Sequence, residues 1–525
     1  MAKTLEIDGR TVTVPDGTNL VHAAEAAGVE VPHYCYHAGL TVAGNCRMCL
    51  VEIEKMPKLQ IACNTLANDG MVVRTQVDRV KKAREAVLEF LLINHPIDCP
   101  ICDQAGECKL QDYYMDYDRR PSRIPLEEKV HKGKALDIGT HVMLDQERCI
   151  LCTRCVRFLD EVTHTSELGI FNRGDHSEID LFPDRKLENA YSANVVDICP
   201  VGALTAKDFR FKARVWYLEH TSSVCTTCAT GCNIDIHHRR GQIYRFRPRY
   251  NGEVNQYWLC DEGRFSFERS QSEHRILNPF LRRADQLVPV PWAEVVTEVA
   301  RSLLDLRTKS AGALAGVISA QATNEEAYLF ARLVSEGLGG KVHSFSWSPP
   351  DASHDDFLRD RDKNPNSRGL AALGIADGLD ALAQGIETGD VKGLFAFRAD
   401  LGRVLGHERF QALGDKLDYL VVADTDGHPT AGLADAVLPV AAFAETDGTF
   451  TNRRGRVQRI REAFPPPGTA MAGWKMLSDL GTRLAHFNAH ASADGVFAEI
   501  ATSHTPFAGL SYTSIGSAGA PLAKA

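Results

Sequence analysis

The sequence predicts a multidomain protein of mixed α+β and α/β type, and three observations lead to that prediction. The chain has 525 residues, which is more than a single hydrophobic core usually serves. Its first half combines short alternating strands with cysteine-rich loops, whereas its second half alternates apolar strands with helical stretches. We therefore expect several small domains followed by a larger α/β domain with a mostly parallel sheet.

Composition excludes some classes of function. Hydrophobic residues make up 44% of the chain, charged residues 24%, and the formal net charge is -9, so nucleic acid is not an expected partner. The longest apolar runs, at 313–318 and 419–423, are far shorter than the roughly 18 to 20 residues that span a bilayer, so no direct membrane insertion is expected. The first ten residues contain no apolar signal region, which predicts a cytoplasmic protein. Because disulfides are rare in that compartment, the 15 cysteines indicate metal binding.

The first cysteine group has the pattern C-x10-C-x2-C-x13-C and consists of Cys35, Cys46, Cys49 and Cys63. It is typical of a 2Fe-2S site, in which the close pair Cys46 and Cys49 is expected to chelate one iron. Residues 4–7 and 11–14 alternate apolar and polar side chains around Asp8-Gly9, which predicts a hairpin. A helix is expected over 20–27, ending at Gly28. A zinc site is the alternative.

The second group follows a predicted helix whose apolar stripe ends at Asn94. It consists of His95, Cys99, Cys102 and Cys108, in the pattern H-x3-C-x2-C-x5-C. Three thiolates are one ligand short for a 4Fe-4S cluster, and a neutral imidazole can supply the fourth. The alternative is that His95 only interacts with the dipole at the end of the helix.

The third group is Cys149, Cys152, Cys155 and the distant Cys199, which Pro200 follows. In two-cluster ferredoxins, each C-x2-C-x2-C-x3-C-P run supplies three ligands to one cluster and its last cysteine to the other. The first run here has lost its fourth cysteine, since position 159 is Leu. The second run keeps only its fourth, since positions 189, 192 and 195 are Asn, Ser and Val. A single 4Fe-4S cluster is therefore expected.

The fourth group is Cys225, Cys228, Cys232 and Cys260, in the pattern C-x2-C-x3-C-x27-C. Four thiolates suit another 4Fe-4S cluster, and strands are expected at 234–237 and 242–246. A four-cysteine zinc ribbon is the alternative, because it uses similar hairpins.

No dinucleotide fingerprint or P-loop is found in the sequence. The run Gly337-Leu338-Gly339-Gly340 follows a helical pattern and not a strand, so it marks the end of a helix. Strands are expected at 313–318, 393–397 and 417–423, with a helix over 325–336 capped by Asn324. A chain with these redox centres and no substrate site is interpreted as an electron relay.

These motifs together resemble the large iron-sulfur subunit, known as the G subunit, of NADH-quinone oxidoreductase, respiratory complex I. The resemblance covers roughly residues 1–480 and is most specific at the His95 and Cys149 groups. It implies the following domains: a beta-grasp 2Fe-2S ferredoxin domain (1–80), a one-histidine three-cysteine 4Fe-4S domain (81–120), a ferredoxin-like 4Fe-4S domain (135–215), a small 4Fe-4S domain of molybdopterin-oxidoreductase type (216–272), a shortened molybdopterin-oxidoreductase-like α/β domain without cofactor (273–490) and a tail (491–525).

The second half resembles molybdopterin oxidoreductases in residues 323–326, 445–452 and 455–458. Catalytic members usually carry a lysine or arginine two residues after the last cysteine, whereas this chain has Glu262. No cysteine follows Cys260, so no molybdenum cofactor is expected. Five arginines (Arg453, Arg454, Arg456, Arg459 and Arg461) are interpreted as a solvated or partner-facing basic surface, or otherwise as a relic of the pterin site.

The resemblance implies one 2Fe-2S and three 4Fe-4S clusters that pass electrons from an NADH- and FMN-binding subunit toward quinone. The implied partners are that subunit, a small 2Fe-2S subunit and the quinone-side subunits. The chain would then lie peripherally on the inner face of the bacterial cell membrane. Two alternatives remain open: an electron-transfer (diaphorase) subunit of an NAD-linked hydrogenase or formate dehydrogenase, and a zinc-stabilised interaction scaffold.

Overall fold

The computed structural model describes residues 1–117, 121–310, 312–485 and 487–523. The ends of the expected second domain, at residue 120, and of the expected tail, at residue 525, lie outside these ranges. The chain divides into two compact units, Met1–Leu218 and Glu219–Ala525. The finer domain boundaries expected from the sequence stay predictions.

The first unit begins with the predicted hairpin, in which Ala2–Ile7 and Arg10–Pro15 pair antiparallel. The sheet has the spatial order Arg10–Pro15, Ala2–Ile7, Val72–Arg74, Leu50–Ile53 and Gln60–Ile61. Helix Leu20–Ala26 starts at Asn19, whose side chain accepts a hydrogen bond from the amide of His22. The predicted stop at Gly28 is confirmed, since this glycine has φ +69°.

The rest of the first unit is built from short elements that lead into the cysteine loops. The helices are Asp78–Leu92, Lys109–Tyr117, Arg154–Glu161 and Asn194–Ile198. The strands are Leu136–Asp137, Val142–Leu144 and Leu204–Ala206 in one sheet, and Leu168–Phe171 with Glu178–Leu181 as a hairpin. Each cysteine group therefore lies at an element end, where loop backbone can approach a bound group.

The second unit begins with an antiparallel sheet of Glu219–Val224, Asn233–Arg239 and Gln242–Pro248. The two strands expected at 234–237 and 242–246 are confirmed within it. Short helices Asp261–Arg264 and Phe267–Ser270 follow.

The larger part of the second unit is an α/β sheet. Its strands are, in spatial order, Gln286–Pro289, Phe280–Arg283, Ala436–Pro439, Tyr419–Asp424, Gly393–Phe397, Leu314–Ser319 and Lys341–Phe345. Pairing is parallel from Ala436–Pro439 to Lys341–Phe345, and Phe280–Arg283 adds an antiparallel edge. The helices around it are Trp292–Lys309, Asn324–Arg332, Ser367–Ala372, Leu379–Thr388, Leu401–Leu405, His407–Gly414, Pro429–Leu433 and Gly473–Ala485. The predicted mostly parallel sheet is confirmed.

The helix predicted at 325–336 begins one residue earlier than expected. Thr323 caps it, because its hydroxyl accepts from the amide of Glu326 while the Glu326 carboxylate accepts from the Thr323 amide. Asn324 is fully buried and donates instead to the hydroxyls of Thr449 and Thr451. The α-helix ends at Arg332, and a π-helical turn over Leu333–Gly337 completes the segment.

The expected tail, 491–525, whose composition from Thr505 on is rich in Ser, Gly and Ala, is folded over the residues that the structure describes. It forms helices Ala493–Ser503 and Tyr512–Ile515, and strand Ala520–Pro521 pairs with Arg456–Ile460, which also pairs with Gly448–Thr451. Its side chains Val496, Phe497 and Ile500 are fully buried in the core of the α/β sheet.

Within the described part of the chain, none of the helices has both the length and the apolar character needed to cross a lipid bilayer.

Candidate metal centres

The first cysteine group lies in the loops of the N-terminal sheet and forms two thiol pairs. Cys35 is hydrogen-bonded with Cys46, and Cys49 with Cys63. Within each pair, this bond lowers the pKa of one thiol, Cys35 to about 5 and Cys49, and raises that of its partner. These hydrogen bonds join Cys35 with Cys46 and Cys49 with Cys63, and the expected binding of one iron by Cys46 and Cys49 stays a prediction.

Side chains of helix Arg154–Glu161 hold the loops of the first group. The Arg157 guanidinium donates to the carbonyl of Cys35 at 2.5 Å and to that of Cys152 at 3.4 Å. Arg154 donates to the carbonyls of Tyr36 and Ile198. The first and third cysteine groups are thus joined by charged hydrogen bonds, which are stronger than neutral ones.

The second group places His95 directly after helix Asp78–Leu92. Burial lowers the pKa of His95 to about 4, so its imidazole is neutral, as a metal ligand must be. Its Nδ1 accepts a hydrogen bond from the amide of Ile97 at 3.1 Å. His95 would hold iron through a ring nitrogen that carries no proton, and it would supply a neutral ligand.

Asp98 anchors the loop that carries His95 and Cys99. Its carboxylate accepts two hydrogen bonds from the buried Arg148 guanidinium, at 2.9 and 2.6 Å, and Lys134 lies 3.3 Å away. Burial alone would raise the pKa of Asp98, but these cations overcome it and lower the pKa to about 2. Arg214 donates to the carbonyl of Cys102 at 2.6 Å. The sequence did not single out these residues, since long-range ion pairs leave no local pattern.

The four cysteines of the third group lie together. Cys149, Cys152, Cys155 and Cys199 line one small pocket together with apolar side chains that include Ile150 and Val201. The amide of Leu151 donates to the sulfur of Cys149 at 3.4 Å.

Residues in the left-handed region of backbone conformation occur in the loops of the first three groups. Arg47 has φ +59°, Ile97 +51°, Leu151 +52° and Thr153 +63°. This region is unfavourable for residues other than glycine, and most of all for β-branched ones such as Ile97 and Thr153. Such strain concentrates at functional sites, where it is part of how ligands are aimed.

The buried thiols of the third group fit a positively charged bound group. Burial raises the pKa of Cys149 to about 12 and of Cys152 to about 11, and it raises those of Cys155 and Cys199 as well. Without a nearby cation these thiols stay protonated. The thiolates that a cluster requires are stable here only next to the irons themselves.

The first three groups contribute to one apolar cluster. Cys35, Cys108 and Cys152 pack in it with Tyr34 and Val201, and other cysteines lie at its edge. The third group also touches the second through Gly202, where an added Cβ would lie 2.3 Å from the sulfur of Cys102. Gly202 belongs to a ferredoxin-like run in the sequence. The sequence alone does not show that this glycine lies against the sulfur of Cys102.

The fourth group lies in the second unit, and all four of its thiols are buried. Burial raises the pKa of Cys225 to about 11 and those of Cys232 and Cys260 as well. The amide of Gly263 donates to the sulfur of Cys260 at 3.3 Å. A Cβ at Gly263 would lie 2.9 Å from the sulfur of Cys225, so glycine is needed for this close approach.

A cleft of about 1500 Å³ adjoins the fourth group at the carboxyl ends of the parallel strands. Such an edge is the usual ligand site of open α/β sheets. The described residues that line it include no cysteine to ligate molybdenum, so the cleft does not fit the thiolate-ligated form of that cofactor. Glu262 points toward Lys363, whose Nζ lies 2.7 Å from its carboxylate. The lysine is supplied by a distant segment, which the sequence did not reveal.

The five arginines of residues 453–461 are bound within the second unit. Arg453 pairs with Asp360, Arg454 donates to the carbonyl of Glu253, and Arg456 to that of Gly519. Arg459 lies over the ring of Tyr512, and Arg461 donates to the carbonyl of Ser222. These contacts join separate segments of the unit, while Arg453 and Arg454 are exposed to solvent, so the interpretation as a basic surface stays a prediction.

Among the residues that the structure describes, no group of three or more His, Cys, Asp or Glu side chains is arranged to hold a single metal ion.

Five family models match successive parts of the chain. By description they are a 2Fe-2S iron-sulfur cluster binding domain (2–78), the NADH-ubiquinone oxidoreductase-G iron-sulfur binding region (84–123), the ferredoxin-like domain of NADH-quinone oxidoreductase subunit 3 (139–205), the molybdopterin oxidoreductase Fe4S4 domain (218–272) and molybdopterin oxidoreductase (363–483). The expected multidomain fold class is confirmed by these matches.

Individual proteins match as well. The NADH-ubiquinone oxidoreductase 78 kDa subunit of Candida albicans is 32% identical over 91% of this chain and 82% of that protein. The G subunit of NADH-quinone oxidoreductase from Rickettsia conorii is 41% identical over 65% of this chain. The match spans about half the length of the G subunits from Rickettsia conorii and Rickettsia felis.

Among the solved structures that match is that of an NAD+-reducing [NiFe]-hydrogenase in the H2-reduced state. It is 28% identical and covers 41% of this chain and 91% of that chain. Its TM-score of 0.36 is too low to indicate a shared overall fold.

Proposed function

Because the chain belongs to the family that comprises the G subunit of NADH-quinone oxidoreductase and the NADH-ubiquinone oxidoreductase 78 kDa subunit, we propose that it relays electrons in an NADH-quinone oxidoreductase. It would do so through one 2Fe-2S and three 4Fe-4S clusters bound by the sixteen residues of the four groups. Two matching domains describe 2Fe-2S and 4Fe-4S binding, which supports the two cluster types. The count of clusters and their ligands belong to the proposal.

The observation that carries this proposal is the single apolar cluster to which the first three cysteine groups contribute. A relay needs redox centres close to one another and shielded from water. The contacts of Arg157 with the carbonyls of Cys35 and Cys152 and of Gly202 with Cys102 join neighbouring groups directly. The sites are therefore neighbours in one unit and not separate modules on a flexible chain.

Bound clusters would accept and release single electrons. The residues around each cluster would determine its charge, its exposure to water and its reduction potential. The neutral imidazole of His95 would give its cluster one negative charge fewer than a fourth thiolate. Burial of the thiols excludes water, and the amides of Leu151 and Gly263 donate to the sulfurs of Cys149 and Cys260. Such hydrogen bonds stabilise negative charge on sulfur and so favour the reduced cluster.

We propose as partners the NADH- and FMN-binding subunit, the small 2Fe-2S subunit and the quinone-side subunits of the complex. The chain would lie on the cytoplasmic face of the membrane through these subunits. Its role would be electron transfer only, with hydride transfer and quinone reduction in other chains.

The test is a metal and sulfide analysis of the purified full chain, with electron paramagnetic resonance during stepwise reduction. About 14 irons per chain are expected from one binuclear and three tetranuclear clusters. The variant His95→Ala should lose or change one tetranuclear signal and leave the others, whereas the exposed His407→Ala should change none.

A chain that contains zinc in place of iron and sulfide would reject the relay in favour of a zinc-stabilised scaffold. If His95→Ala leaves every signal unchanged, the ligand assignment of the second group is wrong while the relay stands.

A further inference from the structure

The fourth cysteine group is covered by two ion pairs from distant segments of the second unit. Lys363 Nζ lies 2.7 Å from the carboxylate of Glu262 and donates to the carbonyl of Ser353 at 2.7 Å. The guanidinium of Arg453 lies 3.0 Å from the carboxylate of Asp360. The side chain of Lys363 is only 11% exposed, so this pair is poorly screened by solvent.

Backbone hydrogen bonds fix both pairs to the loop between Cys228 and Cys232. The amide of Ala229 donates to the carbonyl of Asp362 at 2.9 Å, and the amide of Arg453 donates to the carbonyl of Ala229 at 2.7 Å. The charges of residues 360–363 and 453 are therefore held at this loop by the main chain and not only by flexible side chains.

The two pairs present opposite charges to the cysteines. Glu262 follows Cys260 by two residues in the one-turn helix Asp261–Arg264, whose first turn is capped by the sulfur of Cys260. Arg453 is bound through its amide to the carbonyl of Ala229, in the loop between Cys228 and Cys232. The anion of the first pair therefore belongs to the segment next to Cys260, and the cation of the second pair belongs to a residue bound to the loop between Cys228 and Cys232.

Reduction adds one electron to a cluster, so a nearby anion makes reduction harder and a nearby cation makes it easier. We propose that these two ion pairs set the reduction potential of the cluster bound by the fourth group, Glu262 lowering it and Arg453 raising it, with Lys363 and Asp360 as the moderating counter-charges. This inference rests on the proposed function, since it requires a cluster at the fourth group.

The test is a redox titration of the full chain with its clusters, with dithionite as the electron donor and paramagnetic resonance as the readout. Glu262→Gln should raise the potential of the fourth cluster and Arg453→Gln should lower it. We expect each change to alter the ratio of reduced to oxidised cluster about tenfold at a fixed potential, which is about 59 mV for one electron. The signals of the other clusters should not move.

Matched variants separate charge from packing. Lys363→Met should lower the potential and Asp360→Asn should raise it, since each removes a counter-charge. Combining Glu262→Gln with Lys363→Met should return the potential close to that of the unchanged protein. Glu253→Gln removes an exposed carboxylate of the same unit, 71% exposed and paired with Arg456, and should have no effect.

Shifts of the same sign for Glu262→Gln and Arg453→Gln, or shifts no larger than that of Glu253→Gln, would overturn the inference. If the Arg453→Gln variant does not bind the fourth cluster, the potentials of Lys363→Met and Asp360→Asn are compared instead. These two variants must then shift the potential in opposite directions, and shifts in the same direction would overturn the inference. If Cys232→Ala contains as much iron as the unchanged chain, the fourth group binds no cluster. That result would contradict the proposed function at this site and not the inference about the ion pairs.

Discussion

At the scale of single residues, the contact between Gly202 and Cys102 joins two metal centres. The loop that follows Cys199 passes so close to the sulfur of Cys102 that an added Cβ would lie 2.3 Å from it. The amide of Lys109, next to Cys108, donates to the carbonyl of Pro200 in the same loop at 3.0 Å. One loop therefore shapes both the second and the third centre.

We predict that Gly202→Ala disturbs the second centre. The methyl group has no space beside the sulfur of Cys102, so the loop must shift, and the cluster bound there should be lost or altered. Iron analysis should show a loss of up to about four irons per chain, with one tetranuclear signal affected most. Gly432→Ala is the control, because nothing lies within 4 Å of a Cβ at Gly432. Equal iron content and unchanged signals in both variants would refute the prediction.

Sequence spacing predicts the four cysteine groups, because ligands of one cluster often recur at short intervals in a loop. It does not predict the hydrogen bonds between the thiols of the first group. Arg47, between Cys46 and Cys49, has φ +59°, and the thiols on its two sides are hydrogen-bonded with Cys35 and Cys63. Such a backbone conformation is rare for arginine and leaves no sequence pattern.

At the scale of elements, helix Asn324–Arg332 is tied to strand Gly448–Thr451 by a buried carboxyl group. Glu325 accepts hydrogen bonds from the amide and hydroxyl of Thr449, at 2.8 and 2.9 Å, and from the hydroxyl of Tyr512 at 2.9 Å. Burial nevertheless dominates and raises the pKa of Glu325 from 4.5 to about 7. The neutral form is therefore favoured in the folded protein.

We predict that the second unit loses stability as pH rises toward neutrality. A carboxyl group whose pKa is raised by folding stabilises the protein fully below its unfolded pKa of 4.5, and this contribution is lost as pH rises through about 7. The total is about 3 kcal/mol, since each unit of pKa corresponds to about 1.4 kcal/mol. Thermal unfolding between pH 5.5 and 8, where clusters survive, should show a steeper decline for the unchanged chain than for Glu325→Gln. Parallel curves would contradict the prediction.

The same helix shows where element prediction from sequence ends. The strands at 393–397 and 417–423 and the helix over 325–336 are predicted from apolar periodicity and capping residues, which are local properties. The true cap, Thr323, lies one residue before the predicted one, Asn324. The burial of Asn324 and Glu325 is not predicted, because their partners Thr449 and Thr451 lie more than 120 residues away in the chain. Hydrogen bonds between such distant residues can be identified only once the fold is known.

At the scale of the whole molecule, the four proposed metal centres are divided between two compact units. The three groups that share the apolar cluster lie within Met1–Leu218, and the fourth lies within Glu219–Ala525. Each proposed cluster therefore takes all of its ligands from one unit.

The fourth group depends on later parts of its own unit, and this dependence can be tested by truncation. Gln458 donates to the carbonyl of Gly231 at 2.9 Å, Asn233 donates to that of Ser517 at 3.1 Å, and Arg453 bonds to Ala229 as described above. A chain that ends at residue 272 keeps all sixteen proposed ligands but loses these contacts. A chain that ends at residue 218 loses the fourth group itself.

We predict that both shortened chains retain the same three clusters, about ten irons per chain, and that neither has the fourth. The chain of residues 1–272 should expose the apolar side chains and thiols of its last 54 or so residues, because covering segments contribute as much to such a site as its ligands do. Paramagnetic resonance during reduction should therefore give matching spectra for the two. A fourth tetranuclear signal in the 1–272 chain would show that the cysteines alone suffice, and loss of all signals from the 1–218 chain would show that the first unit does not fold by itself.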